Sequence, residues 1–169
     1  HVYVFEHGGL AALGGLMPVL SDTPTGCPSP DFVQSYLGRN PRMYPRTALV
    51  CLENTANRGG GAVYSMDSIH AIADVVREHE LKYHLDGARV FNASVASGVP
   101  VAEIASPFDS LTFCLSKGLG CPVGSVVVGS GAFIDRCHRF RKMLGGGMRQ
   151  AGILAGAGLY ALENHVDRL

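Results

Sequence analysis

The sequence lacks an excess of charge of either sign, since Lys and Arg together number 14 and so do Asp and Glu. This balance argues against a basic tail for nucleic acid and against an acidic partner. The sequence also lacks a run of about 18 apolar residues, which a membrane-spanning helix needs. Its five cysteines form no CxxC pair and no metal-ligand spacing. We therefore expect no metal site, no nucleic-acid or membrane partner, and free thiols in a reducing compartment such as the cytoplasm.

Glycine, by contrast, is abundant, with 22 residues among 169, a share well above the ordinary value of about 7%. The glycines separate short apolar runs, which is typical of turns and close approaches rather than of a linker. The length suits one domain with a sizeable core. Because the chain opens on HVYVFEHGG without a starting methionine, we expect it to be a piece of a longer protein.

Short apolar segments alternate with amphipathic ones through most of the chain. Strands are predicted at Val2 to Phe5 and at residues 49–53, 82–86, 111–115 and 125–128. Helices are predicted within the Gly/Ala-rich segment after residue 7 and at residues 31–37, 65–80, 89–96, 101–105, 133–143 and 148–169. This alternation predicts an α/β fold with a three-layer α-β-α architecture and a mostly parallel sheet.

Asp86 ends one predicted strand and Lys117 follows the next, and the two lie 31 positions apart, about one β-α-β unit. In parallel sheets the carboxyl ends of strands share one crevice, so we expect the two side chains to face it together. Lys117 lies on a glycine-rich turn after the apolar LTFCL strand. Apolar surroundings would lower its pKa and allow a Schiff base with a carbonyl compound. The alternative is an exposed lysine in a polar turn.

The segment Asp86-Gly87-Ala88-Arg89 adds a carboxylate close to the interior and a guanidinium three residues later. A salt bridge that caps the following helix would explain the two charges structurally. A buried carboxylate can also hold a ring nitrogen protonated while a lysine holds an aldehyde. That combination is the layout of a pyridoxal-phosphate site.

Three segments, HLDGARVFNA, FDSLTFCLSKGLGCPVGSVVVG and RKMLGGGMRQAGILAGAGLYAL, together resemble the threonine aldolases. HVYVFEHGG and LVCLENT match the same family in the same order. The resemblance implies a pyridoxal-phosphate enzyme of the aspartate-aminotransferase-like fold, type I. It also implies that residues 1–169 are part of the large, cofactor-binding domain, without an N-terminal segment and a C-terminal small domain. A homo-oligomer, a tetramer or a dimer of dimers, is what the family suggests.

The resemblance gives roles to individual residues. Lys117 matches the Schiff-base lysine, and Asp86 matches the carboxylate that pairs with the pyridine nitrogen. Arg89 matches a guanidinium that binds the substrate carboxylate beside the cofactor, a task that suits a planar fork.

Four further positions carry roles by the same resemblance. His1 matches the histidine that stacks on the cofactor ring, and Phe5 lies where relatives have a tyrosine near the substrate side chain. Lys142 and Arg149 match basic residues that reach the cofactor phosphate of a neighbouring subunit. Their alternative is an ordinary solvated face.

Two positions depart from the family, since Met43 and Ala56 stand where relatives often have histidine. The base for the substrate hydroxyl is therefore open, and a water or His1 is the expected replacement. The activity implied is pyridoxal-phosphate-dependent retro-aldol cleavage of the amino acids L-threonine and L-allo-threonine to glycine and acetaldehyde. The alternatives are another enzyme of the same fold type (a β-eliminating lyase or a transaminase) and an inactive fragment. A phosphate-binding module on GLGCPVG is disfavoured, because the GxxxxGK[ST] pattern is missing.

Overall fold

A computed structural model of the chain describes residues 2–40 and 42–169, and its centre is a four-stranded sheet in the order β1-β2-β3-β4. The strands are β1 (Leu49–Glu53), β2 (Lys82–Asp86), β3 (Ser110–Cys114) and β4 (Ser125–Gly129). β1, β2 and β3 are parallel, whereas β4 is antiparallel to β3. The predicted α/β class with a mostly parallel sheet is confirmed.

Helices precede the sheet, connect its strands and follow it. They are α1 (Val2–Phe5), α2 (Gly9–Gly14), α3 (Pro30–Ser35), α4 (Met66–Glu78), α5 (Val90–Ser97), α6 (Val101–Ala105), α7 (Gly131–Met143) and α8 (Gly152–Asn164), and a 3₁₀ turn follows at Val166–Arg168. Among the described residues, no helix combines the length and apolar character that crossing a membrane requires.

Helix α4 shows how the sequence forms the main connection. The Ser65 hydroxyl accepts the Ser68 N–H at 3.2 Å and so caps one of the free amides at the helix start. The apolar residues at helical spacing, from Ile69 to Val76, are all buried against the sheet. Burying each large aliphatic side chain is worth about 1.5–3 kcal/mol, so this face fixes α4 on the sheet.

The two faces of the sheet differ in cover. Leu52, Leu85 and Leu111 lie on the face that α4 packs against and are buried. On the opposite face, which includes Gly129 of β4, α7 lies beside the end of β4. A Cβ built on Gly129 would lie 2.6 Å from the Phe133 ring, which shows how closely α7 approaches the strand. Helices on both faces confirm the three-layer architecture.

Two predicted elements differ from the structure. Val2–Phe5 is a helix rather than a strand. Its β-branched and aromatic residues favour a strand locally, but a strand needs a hydrogen-bonded neighbour and this segment bonds within itself instead. The last helix begins at Gly152 rather than residue 148. Gly147 (φ 137°) and Gln150 (φ 51°) adopt positive φ values, and these interrupt the helical path.

Candidate functional site

The carboxyl ends of β1, β2 and β3 lie at one edge of the sheet, which we call the carboxyl edge. Glu53 is in register with Asp86, and Asp86 is in register with Thr112. Lys117 follows three residues after the last residue of β3, Cys114. Asp86 therefore ends one strand, and Lys117 follows the end of its parallel neighbour on the same side of the sheet.

Asp86 is half-buried, and its backbone surroundings fix its carboxylate. Its Oδ1 atom accepts the Ala88 N–H at 3.1 Å, a bond within the local turn before α5 that orients the carboxylate. Gly87 donates its N–H to the Thr112 carbonyl at 2.8 Å. A Cβ on Gly87 would lie 2.7 Å from that oxygen, so only glycine allows the chain to turn this closely behind the carboxylate.

Arg89 occupies the N-cap position of α5, and its side chain makes no capping hydrogen bond there. The residue is half-buried. Its positive charge acts to lower the pKa of Glu53, which places the guanidinium within electrostatic reach of that carboxyl. The structure thus adds a cation to the carboxyl edge, where the sequence predicts a group that binds a substrate carboxylate.

Glu53 is a residue of this edge that sequence reasoning missed. Burial raises the pKa of its carboxyl group, and the Asp86 carboxylate raises it further, while the Asn57 backbone N–H and Arg89 act in the opposite direction. The signal was available, because Glu53 ends the predicted strand LVCLE just as Asp86 ends KYHLD. The strand-end rule that singles out Asp86 applies equally to Glu53.

Lys117 lies on a turn whose other residues are firmly anchored. Leu119 is buried, and its carbonyl oxygen is 2.7 Å from Nδ1 of His165. A Cβ on Gly118 would come within 2.7 Å of Leu169. The Lys117 side chain itself is exposed, so the expectation of apolar surroundings is wrong for the described chain. Because Leu119 points inward, the lysine three positions after the strand is left facing outward.

Three of the remaining residues with predicted roles lie in other described parts of the chain. Phe5 ends α1, and the guanidinium carbon of Arg58 lies 5.5 Å from its ring centroid, a cation–π distance. Lys142 is exposed in the last turn of α7, and Arg149 is exposed in the connection to α8. His1 lies outside the described residues. The roles given to these four residues stay predictions.

The two positions that depart from the family have different surroundings. Met43 is exposed. Ala56 is buried, and its N–H donates to the Ala62 carbonyl at 2.8 Å. A Cβ on Gly26 would lie 3.2 Å from the Ala56 side chain, so the chain around Gly26 packs directly over it. A side chain as large as histidine at position 56 would have to displace that segment.

The chain is similar to proteins of one known family. A family model described as beta-eliminating lyase matches residues 1–169. The chain belongs to the beta-eliminating lyase family. It is 43% identical over 173 residues to low-specificity L-threonine aldolase 1 of Arabidopsis thaliana, covering 100% of this chain and 48% of that protein. It is 48% identical over 170 residues to low specificity L-threonine aldolase of Escherichia coli K12, covering 100% of this chain and 50% of that one.

The predicted resemblance to the threonine aldolases is thereby confirmed, and the chain spans about half the length of the curated relatives it matches. Solved structures agree on the fold. Leishmania major threonine aldolase superposes with a TM-score of 0.80 at 22% identity, over 99% of this chain and 49% of that one. A candidate L-allo-threonine aldolase from Listeria monocytogenes superposes with a TM-score of 0.87 at 23% identity, over 99% and 45% of the two chains.

This beta-eliminating lyase family depends on pyridoxal phosphate, and the carboxyl edge fits that cofactor chemically. A carboxylate oriented by a backbone N–H suits a protonated ring nitrogen. An exposed primary amine on the next strand end suits an aldehyde. Because Gly87 has no Cβ, the chain just after Asp86 can pass close to the Thr112 carbonyl.

Proposed function

We propose that the longer protein to which this chain belongs uses pyridoxal phosphate to cleave L-threonine and L-allo-threonine to glycine and acetaldehyde. The observation that supports this proposal is that Asp86 ends β2 and that Lys117 follows the end of β3, the parallel neighbour of β2, by three residues. Relatives named low-specificity L-threonine aldolase, at 43% and 48% identity, support the same reaction. In this proposal residues 1–169 form part of the large, cofactor-binding domain.

Each residue of the edge then has a task. Lys117 would hold the cofactor covalently through Nζ, and the Asp86 carboxylate would hold a proton on its ring nitrogen. When bound, the cofactor supplies an electron-withdrawing ring that accepts the electrons of the broken bond. Arg89 would bind the substrate carboxylate and so orient the Cα–Cβ bond for cleavage. For the hydroxyl proton, Met43 and Ala56 offer no base, so a water or His1 is the proposed acceptor.

The test uses the complete protein, reconstituted with pyridoxal phosphate, and measures two products. L-Threonine or L-allo-threonine should yield acetaldehyde, detected by coupling to an alcohol dehydrogenase, and glycine in equal amount. Serine tests the alternative enzymes, because β-elimination or transamination would give a keto acid. Keto acid without glycine would replace the aldolase proposal by one of these. Cofactor binding without turnover of any substrate would favour the inactive alternative.

We further propose that the protein works as a homo-oligomer, a tetramer, in the cytoplasm. Lys142 and Arg149 would then reach the cofactor phosphate of a neighbouring subunit. Exposed apolar residues on α8 support a covered surface there, and Ile153 is the most exposed at 87%. All five cysteines are free, which fits a reducing compartment. Light scattering on the complete protein measures the subunit number directly, and a monomeric mass would contradict the intersubunit role.

A further inference from the structure

Two carboxyl groups end neighbouring strands at the carboxyl edge. Glu53 of β1 and Asp86 of β2 are register partners, and both are half-buried. Strands in a sheet lie about 4.8 Å apart, so register partners on parallel strands present their side chains side by side on one face. The proposed function gives Asp86 a task and leaves Glu53 without one.

Glu53 lies within electrostatic reach of both Asp86 and Arg89. The Asn57 backbone N–H donates to its carboxyl group. Among the described residues, the charged or titratable groups that face it are Asp86 on β2, Arg89 at the start of α5, and the Cys51 thiol two positions earlier on β1. Burial and the Asp86 carboxylate raise the pKa of Glu53, which supports a proton held beyond the usual range of a glutamate.

A count of charges shows when that proton matters. In the occupied site, the Asp86 carboxylate would balance a protonated ring nitrogen, and the Arg89 guanidinium would balance the substrate carboxylate. An ionised Glu53 would then be a third negative charge beside two positive ones. It would repel Asp86 and compete with the substrate for Arg89.

We propose that Glu53 is a positioning residue of the substrate site, which carries a proton when the substrate carboxylate binds Arg89. This inference rests on the proposed function and deepens it. Binding of an amino acid then takes up one proton wherever Glu53 is ionised in the free site. Affinity is greatest below the pKa of Glu53 in the free enzyme and falls as the pH rises through that value, by up to tenfold per pH unit.

The experiment measures proton uptake directly, by titrating the complete holoenzyme with glycine in a calorimeter. Runs in two buffers of different ionisation enthalpy, at several pH values below 8, give the number of protons taken up on binding. The wild type should take up as much as one proton as the pH rises, whereas Glu53→Gln should take up none and bind glycine with a nearly constant Kd. Equal proton uptake by the two proteins would overturn the inference.

Two controls separate this role from others. Glu53→Asp keeps a carboxyl group, so it should retain the proton uptake, which a purely structural role for Glu53 would not require. Loss of uptake in Glu53→Asp with its melting temperature unchanged would count against the inference. The absorbance of the bound cofactor checks the proposed function separately. A wild-type protein that binds neither pyridoxal phosphate nor glycine would end both proposals, whereas binding with equal uptake would end only this one.

Discussion

Charged side chains are paired differently at the two ends of the sheet. At the amino end of β2, Lys82 Nζ lies 2.8 Å from Asp109 Oδ1, and the Tyr83 N–H donates to the other carboxylate oxygen at 2.9 Å. At the carboxyl end, Glu53 and Asp86 lie side by side in register. Opposite charges that satisfy each other hold a strand end in place. Like charges side by side lower the stability of the fold, and such an arrangement is typical of a site that binds a charged ligand.

The pKa values of two carboxyl groups show the same contrast. For Asp109, burial opposes ionisation, but the hydrogen bonds from Lys82 and from the Tyr83 N–H outweigh it and lower the pKa. For Glu53, burial comes first and the Asp86 carboxylate adds to it, so the pKa rises. In both places the sheet brings charged side chains together, and the charge of the partner decides whether the result is a structural link or a candidate site.

The largest expected effect comes from removing the proposed anchoring amine. Lys117→Ala should abolish covalent attachment of the cofactor and lower threonine cleavage by roughly 10³-fold or more. The visible absorbance of the bound cofactor and the coupled acetaldehyde assay measure both effects. Lys82→Ala is the matched control at the opposite end of the sheet, and its activity should stay near that of the wild type. Normal cofactor attachment in Lys117→Ala would remove this residue from its role.

The next effect compares the carboxylates at the two ends. Asp86→Asn keeps the shape but loses the charge that would hold the ring nitrogen protonated, so turnover should fall by roughly 10²-fold while the cofactor still binds. Asp109→Asn makes the same chemical change at the amino end and should leave kcat unchanged. Similar kcat losses in the two variants would show that the contrast between the ends is not functional.

A smaller effect is expected at the guanidinium. Arg89→Lys keeps the positive charge but loses the planar pair of donors, so KM for threonine should rise about tenfold, or ~1.4 kcal/mol. Cofactor affinity should change much less. Arg77→Lys is a suitable control, since Arg77 forms an exposed pair with Asp74 at 3.3 Å. An unchanged KM in Arg89→Lys would contradict a carboxylate-binding role.

The smallest effects concern stability and its pH dependence. The lowered pKa of Asp109 means that its contribution is present above the unfolded pKa and is lost as the pH falls through the folded value. Its pair with Lys82 is largely exposed, with 72% and 41% of the two side chains accessible, so Asp109→Asn should cost less than about 1 kcal/mol. Urea denaturation at pH 7 and near pH 2 measures this, and the difference from the wild type should disappear at the acid pH.

The contribution of Glu53 to the free energy of unfolding should change with pH in the opposite direction to that of Asp109. Because its pKa is raised in the folded protein, folding is favoured at low pH and loses stability as the pH rises above the ordinary value of 4.5. Glu53→Gln should therefore make the protein slightly more stable at pH 7 and leave it unchanged at low pH. A loss of stability at pH 7 would show that the ionised carboxylate holds the carboxyl edge together.

The sequence predicted most of the sheet and its connections, because the signals there are strong and local. Ser65 caps α4 as its hydroxyl predicts, and Gly98 ends α5 with a φ of 71°. Val2–Phe5 was misassigned because a four-residue apolar run carries no periodicity that separates a short helix from a strand. The sequence also left open whether Lys117 is buried or exposed, since this depends on which residue of its turn points inward.

Local sequence signals determined the succession of the four strands and the helices between them, the residues Glu53 and Asp86 that end β1 and β2, and the family to which the chain belongs. These follow from side-chain period, capping groups and glycine positions, all of which act within a few residues along the chain. Only the tertiary structure decided that Glu53 stands beside Asp86 and within reach of Arg89. That juxtaposition joins residues more than 30 positions apart, and it exists only once parallel strands have fixed their register.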